Sequence, residues 1–142
     1  MSLSQNQQRY IIGSIILLVI SVYTYNQFLG KENSGFEYGD ITIEQAKQLI
    51  EEKSSLVTLD VRTVSEYDDD HIEGAINIPV QEIEERLNEL SKRDEILVYC
   101  RTGNRSSTAI DIMKANGFTK IYHMNRGITA WKEAGYPVVS SQ

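Results

Sequence analysis

EILVYCRTGNRSSTA, residues 95–109, joins an apolar run to a polar loop at the single cysteine of the chain. Residues 96–99 are β-formers that predict a strand, and a helix is predicted to begin near Ser106. The loop between them contains Gly103 and two arginines. The pattern therefore predicts a strand, a tight loop and a helix N-terminus, with the thiol of Cys100 where the strand meets the loop.

This setting is typical of a reactive thiol. The backbone N–H groups of such a loop and of the first helical turn have no intrahelical partners, so they converge on whatever the loop encloses. The helix dipole and the guanidinium groups of Arg101 and Arg105 add positive potential, which favours the thiolate. The site suits a sulfur nucleophile that acts on an anionic substrate. The alternative is a structural cysteine, because free cysteine is among the most buried residue types.

The N-terminal part of the 142-residue chain differs from the rest. Residues 10–29 carry no charge, and about 20 residues of helix reach roughly 30 Å, the thickness of a bilayer core. They predict a single-pass transmembrane helix, a signal anchor, between a flank of residues 1–9 and a linker of residues 30–39. Residues 40–142 form the predicted globular domain. The lysine and arginine counts around the span favour a domain outside the cytoplasm.

The distribution of charge along the chain indicates which classes of partner it can bind. The net charge is −6, which makes nucleic acid an unsuitable partner. Residues 98–132 nevertheless carry six basic side chains against Asp111, a local balance of +5. A small anion drawn to this basic segment is the expected ligand.

Short strands and helices alternate along the domain. Predicted helices cover residues 43–53, 80–90, 106–116 and 127–134, the first with a capping box of Thr42 and Gln45, and predicted strands cover residues 56–61, 75–78, 96–99 and 121–124. A loop or short helix is expected around residues 65–70. This alternation predicts an α/β domain with a central, mostly parallel sheet and helices on both faces. Ligands of such sheets bind at the carboxyl ends of the strands, where Cys100 is predicted to lie.

Two motifs of the domain resemble the rhodanese (sulfurtransferase) superfamily in its single-domain form. The first is DVR at residues 60–62, with EY at 66–67, HI at 71–72 and GAINIP at 74–79. The second is CRTGNRS at residues 100–106, followed by a tail with AW at 130–131 and GYPV at 135–138. The resemblance covers residues 40–139. It departs from the family's pattern at Asp70 and Arg126, where glycine is usual.

The resemblance implies a rhodanese-like domain with thiosulfate sulfurtransferase activity and no cofactor. Cys100 would take a sulfane sulfur from an anionic donor such as thiosulfate, form a persulfide and pass the sulfur to a thiophilic acceptor, a thiol or a protein. The main-chain N–H groups of residues 101–105 would stabilise the thiolate and the persulfide. The residues implied to bind the donor are Arg101, Thr102, Gly103, Asn104 and Arg105, and those implied to support the loop are Asp60, Arg62 and Ser106.

Other functions stay open at this point. Phosphatases and arsenate reductases related to rhodaneses use a Cys-x5-Arg loop, whereas Cys100 and Arg105 are spaced as Cys-x4-Arg, which suits one sulfur atom better than a phosphoryl group. A membrane-tethered interaction module is another alternative, although modules of this kind typically lack the cysteine. A persulfide carrier that delivers sulfur to one partner lies between module and enzyme.

The two histidines, His71 and His123, are not assigned a catalytic role. Neither is near Cys100 in sequence, so no Cys–His dyad is predicted. Two histidines and one cysteine also make a metal site improbable.

Overall fold

A computed structural model describes residues 4–29 and 38–141, with side chains described for residues 4–23 and 38–141. The chain divides into two compact units, the first of which contains helix α1 (Gln5–Leu29). Most of the predicted linker, residues 30–37, lies outside the described residues. The predicted domain start at residue 40 falls inside a short strand that begins at Gly39.

The helix predicted over residues 10–29 is present as part of α1. Within residues 4–29 and 38–141, no helix combines the length and apolarity needed to cross a bilayer. The predicted location outside the cytoplasm depended on that span, and it stays a prediction.

The second unit alternates strands and helices. Its strands are β1 (Gly39–Ile41), β2 (Val57–Asp60), β3 (Ile76–Asn77), β4 (Ile96–Tyr99) and β5 (Ile121–Met124). Its helices are α2 (Ile43–Glu52), α3 (Val64–Asp69), α4 (Ile83–Arg86), α5 (Asn104–Ala115) and α6 (Gly127–Glu133), with a 3-10 turn at Leu87–Glu89 after α4.

The five strands form one sheet in the order β1-β5-β4-β2-β3, and every pairing is parallel. Strand β4 lies at the centre, where Tyr99 pairs in register with Asp60 of β2 and Val98 with His123 of β5. Parallel pairing brings the carboxyl ends of these strands to one edge of the sheet. Cys100 follows Tyr99 directly and therefore lies at that edge, as predicted.

Helices cover both faces of the sheet, which confirms the predicted fold class. Alternate residues of β4 belong to different cores, because side chains of a strand point alternately to its two faces. Leu97 and Tyr99 pack in a core with residues of α2 and α6. Val98 and Cys100 pack in the other core with residues of α4 and α5.

Some elements differ from prediction by more than a residue at an end. The helix predicted over residues 80–90 is reduced to α4 and the 3-10 turn, whereas α5 begins at Asn104, two residues earlier than expected. Strand β1 was not predicted, because three residues are too short for a periodic signal; it is held by its pairing with β5. The capping box of Thr42 and Gln45 is confirmed at the start of α2.

Candidate active site

The loop after β4 is tight because glycine allows a close approach of two backbone segments. Gly103 has φ +110° and forms the N-cap of α5. A Cβ atom at this position would lie 1.9 Å from the carbonyl oxygen of Asn125. Only glycine fits this backbone, both for the positive φ and for the contact. The loop between Cys100 and α5 is therefore only three residues long, and Asn104 and Arg105 lie in the helix.

The first turn of α6 fixes the loop from the other side. The N–H groups of Ile128 and Thr129 donate to the carbonyl oxygens of Cys100 and Arg101, at 2.9 and 3.2 Å. Gly127, with φ +62°, makes room for this contact, because a Cβ there would lie 2.4 Å from the Arg101 oxygen. These two hydrogen bonds fix the loop backbone in an orientation in which its N–H groups face the thiol.

The thiol of Cys100 is 1% exposed and is surrounded by donors. The Gly103 N–H donates to Sγ at 3.1 Å, and the Ser106 hydroxyl lies 3.4 Å from Sγ. Burial raises the pKa of this thiol, but hydrogen bonds from the Ser106 hydroxyl and from the N–H groups of Ser106, Gly103 and Thr102 outweigh it. The pKa of Cys100 is therefore below its ordinary value, and the thiolate is favoured.

Ser106 connects the thiol to a histidine and a carboxylate that sequence reasoning did not assign to the site. Its hydroxyl lies 2.8 Å from the Nε2 atom of His123 and 2.8 Å from the Gly103 carbonyl oxygen. The Nδ1 atom of His123 lies 2.8 Å from a carboxylate oxygen of Asp40. No Cys–His dyad was predicted from the sequence, and His123 reaches the thiol through Ser106. No motif in the sequence signals this contact, because it joins β1, β5 and α5.

Arg105 is held by a carboxylate and is not free for an anion. Its two terminal nitrogens donate to Glu66 of α3 at 2.6 and 2.8 Å. The hydrogen bonds from Arg105 are the main cause that lowers the pKa of Glu66 to about 2. Glu66 also completes a capping box with Thr63 at the start of α3. An anionic donor would meet this guanidinium as half of an ion pair.

Arg101, in contrast, has an exposed side chain with no ion pair or side-chain hydrogen bond to the residues that the structure describes. It lines a cleft of about 370 Å³ together with residues of both charges. The other lining residues are Arg62, Glu66, Asp69, Asp70, Ile128, Thr129 and Lys132. Among the arginines predicted to bind the donor, Arg101 is the one whose charge is available.

The remaining predicted residues lie around the loop with different exposure. Thr102 is exposed, and its backbone N–H contributes to the stabilisation of the thiolate. Asn104 is exposed at the first residue of α5, and among the described residues its side chain does not contact the thiol. Gly103 and Ser106 are buried against Cys100.

Asp60 and Arg62 form a buried ion pair at the end of β2. Asp60 is fully buried and Arg62 is 4% exposed, and Arg62 donates to the Asp60 carboxylate from Nε and from a terminal nitrogen at 2.7–3.1 Å. Arg62 also binds Asp70, which stands where the family usually has glycine and which in turn binds Lys132 of α6. Among the described residues, neither side chain of the pair contacts Sγ. The supporting role of Asp60 and Arg62 stays a prediction.

Residues 4–29 and 38–141 contain no group of three or more His, Cys, Asp or Glu side chains placed to hold a metal ion. The polar groups that face Sγ are a backbone N–H and a hydroxyl, which suit a sulfur anion.

Comparison with known proteins links this geometry to a family. The family model described as "Rhodanese-like domain" matches residues 42–134. The chain is 41% identical over 92 residues to "Putative sulfur carrier protein YrkF" of Bacillus subtilis, an alignment that covers 65% of this chain and 50% of that protein. It is 38% identical over 65 residues to "Thiosulfate sulfurtransferase PspE" of Escherichia coli, which covers 44% of this chain and 62% of that protein. The chain thus spans about half to three fifths of the length of these relatives.

The solved structures agree. A crystal structure of a rhodanese-related protein from Thermoplasma volcanium aligns with a TM-score of 0.65 and 33% identity. The alignment covers 72% of this chain and 98% of that one.

Proposed function

Since the chain belongs to the rhodanese-like domain family, we propose that it is a sulfurtransferase that carries sulfane sulfur as a persulfide on Cys100. The observation that supports this most strongly is the buried thiol, which accepts hydrogen bonds from the Gly103 N–H and the Ser106 hydroxyl and has a lowered pKa. The lowered pKa favours the thiolate, which is the nucleophilic form.

The proposed donor is a small anion with a sulfane sulfur, such as thiosulfate. The thiolate of Cys100 attacks the sulfane sulfur, the S–S bond of thiosulfate breaks, and sulfite leaves with the electron pair. The negative charge passes to the outer sulfur of the persulfide. Arg101 is the exposed cation beside the thiol, so we assign it the main role in attracting the donor. Arg105 and Glu66 shape the rim of the site as a pair.

An acceptor with a nucleophilic sulfur or carbon then completes the cycle. It attacks the outer sulfur, breaks the S–S bond of the persulfide and releases Cys100 as the thiolate. Cyanide is the simple laboratory acceptor, and a small thiol or a protein thiol is the proposed cellular one. The two half-reactions share a single covalent intermediate, which makes them separable in an experiment.

Intact-mass spectrometry of the full chain tests the proposal. Incubation with thiosulfate should add one sulfur, about 32 Da, and subsequent cyanide should remove it, as expected for nucleophilic covalent catalysis. Cys100→Ala is a sharp control, because Cys100 is the only cysteine and the variant has no thiol. An adduct of the same mass in Cys100→Ala, or no adduct in a folded wild-type chain that still alkylates, would contradict the proposal.

A persulfide carrier is a second candidate, supported by the similarity to a protein named as a putative sulfur carrier. The two functions differ in turnover and not in the intermediate. An enzyme should convert many equivalents of thiosulfate with cyanide or a small thiol, whereas a carrier should load once and stay loaded until its protein acceptor is added. Phosphate-ester hydrolysis that disappears in Cys100→Ser would instead favour a phosphatase.

A further inference from the structure

Four side chains form a continuous line of polar contacts that starts at the thiol. The Ser106 hydroxyl lies 3.4 Å from Sγ of Cys100 and 2.8 Å from Nε2 of His123, and Nδ1 of His123 lies 2.8 Å from Asp40. Ser106 is fully buried, and the His123 side chain is only 12% exposed. From the thiol to His123 the line is shielded, so its hydrogen bonds are stronger there than in water, whereas the Asp40 side chain at its outer end is 66% exposed.

The number of protons in this line restricts how it can be hydrogen-bonded. A serine hydroxyl has one proton to donate, but Ser106 faces three acceptors: Sγ of Cys100, the Gly103 carbonyl oxygen and, in one tautomer, Nε2 of His123. The Nδ1 atom of His123 faces a carboxylate, so it carries a proton that it donates to Asp40. In the neutral ring Nε2 is then an acceptor, and it takes the hydroxyl proton of Ser106.

Protonation of His123 reverses the direction of this hydrogen bond. In the imidazolium both ring nitrogens donate, so Nε2–H donates to the Ser106 oxygen. The hydroxyl proton of Ser106 is then released from the histidine and is available to Sγ. Protonation of His123 therefore stabilises a thiolate in two ways. The thiolate receives a charge-assisted hydrogen bond, and a positive charge lies two hydrogen bonds away.

We propose that His123 is a positioning residue that acts through Ser106, and that its protonated form directs the Ser106 hydroxyl to the Cys100 thiolate. Asp40 holds the ring in the required orientation through its contact with Nδ1. The thiolate and the imidazolium therefore stabilise one another, and the two groups lose and gain protons as a coupled pair. This inference deepens the proposed function, because it assigns the regulation of the same nucleophile to residues of β1 and β5.

The charges around His123 are compatible with this role. Asp40 comes from β1, and Asp111 and Lys114 of α5 line a small cavity of about 120 Å³ together with Asp40 and His123. Asn125 donates to the second oxygen of Asp40 at 3.1 Å. Hydrogen bonds from Asn125 and then from His123 hold the pKa of Asp40 below its ordinary value, so the carboxylate stays ionised where histidine titrates, between about pH 5 and 8.

The ultraviolet absorbance of the thiolate in the full chain, recorded against pH without a sulfur donor, tests the proposal. Cys100→Ala provides the blank. We expect the wild-type thiolate to form over a broad, two-step pH range, and His123→Gln, which cannot change charge, to show one step. Ser106→Ala should have a thiolate fraction about tenfold lower near neutral pH, the loss expected for one hydrogen bond to a charged group. Superimposable curves for the wild type and His123→Gln would overturn the proposal.

A reciprocal measurement leaves His123 intact and so does not depend on the folding of a histidine variant. The ring protons of His123 are followed by NMR in the wild type and in Cys100→Ala, with His71, which stacks on Tyr67, as the internal reference. Coupling requires the His123 ring to lose its proton at lower pH in Cys100→Ala, by the same free energy with which it acts on the thiolate. Asp40→Asn should also lower the pH at which the His123 ring loses its proton, since the carboxylate charge is lost.

An unchanged His123 curve in Cys100→Ala would contradict the coupling. These titrations contain no thiosulfate, so their outcome is independent of persulfide formation. A chain that shows the coupling but forms no persulfide would refute the proposed function and support this inference. A chain that forms the persulfide but shows no coupling would support the proposed function and refute this inference.

Discussion

Two neighbouring strands end side by side at one edge of the sheet, and their ends differ in chemistry. Strand β2 ends at Asp60, which is in register with Tyr99, the last residue of β4. Beyond β2, charged side chains pair with one another below the surface: Asp60 with Arg62, and Arg62 with Asp70. Beyond β4, a single thiol is enclosed by a backbone N–H and a hydroxyl.

The comparison teaches how one sheet edge can be both rigid and reactive. At the end of β2 each buried charge is paired with an opposite charge. At the end of β4 the thiolate is stabilised by hydrogen-bond dipoles, which lower its pKa but leave its charge in place. One edge of the sheet therefore combines a stabilising ion pair with a nucleophile.

The largest expected effect comes from breaking the pair at the end of β2. Asp60→Ala leaves the guanidinium of Arg62 buried with Asp70 as its remaining carboxylate, and it should lower the free energy of unfolding by about 3–5 kcal/mol. Urea unfolding of the full chain measures this loss. The folded fraction should still form the persulfide, because the Asp60 carboxylate binds Arg62 and not the thiol.

Two variants control for this result. Asp68→Ala removes an exposed carboxylate of α3 and should change the free energy of unfolding by less than about 0.5 kcal/mol. Cys100→Ala should abolish persulfide formation but keep most of the stability. A stable Asp60→Ala chain without persulfide formation would reverse the comparison, and it would make Asp60 part of the reactive site.

Much of this edge of the sheet could be predicted from the sequence. The apolar run before Cys100 predicts β4, and the alternation of helices and strands predicts a parallel sheet that places the thiol at a strand end. These signals are local, because each depends on residues within one element. The shortened helix α4 shows the limit, since its apolar spacing is compatible with a longer helix than the chain forms between Pro79 and Leu90.

The partners in the site could not be predicted, because they are far apart in sequence. Arg105 is 39 residues from Glu66, and His123 is 83 residues from Asp40. The sequence shows two arginines after Cys100 and predicts that both bind the donor. Only the fold shows that Arg105 forms an ion pair with a carboxylate and that Arg101 forms none with the residues that the structure describes.

A smaller effect distinguishes those two arginines. Arg101→Gln should raise the KM for thiosulfate about five- to tenfold, equivalent to one charged hydrogen bond of about 1–1.4 kcal/mol, with little change in stability. Arg105→Gln should raise KM less and lower the stability more, because Glu66 then loses its partner. Steady-state kinetics with cyanide as acceptor, together with urea unfolding, measure both. A larger KM effect from Arg105→Gln would make Arg105, and not Arg101, the main donor-binding arginine.

The smallest expected effect concerns the ion pair that connects the two strand ends, Glu66 of α3 with Arg105 of α5. The pKa of Glu66 is lowered to about 2, so its contribution is complete above the pKa of an unfolded glutamate, about 4.3, and is lost as the pH falls toward 2. The free energy of unfolding of the wild type should exceed that of Glu66→Gln by about 0.5–1 kcal/mol at neutral pH, and the difference should close between about pH 4.3 and 2. Urea unfolding across this range measures the difference, with Glu84→Gln, an exposed carboxylate of α4, as the control. A difference that does not depend on pH would mean that Glu66 acts through its capping box with Thr63, and that the two strand ends are stabilised independently.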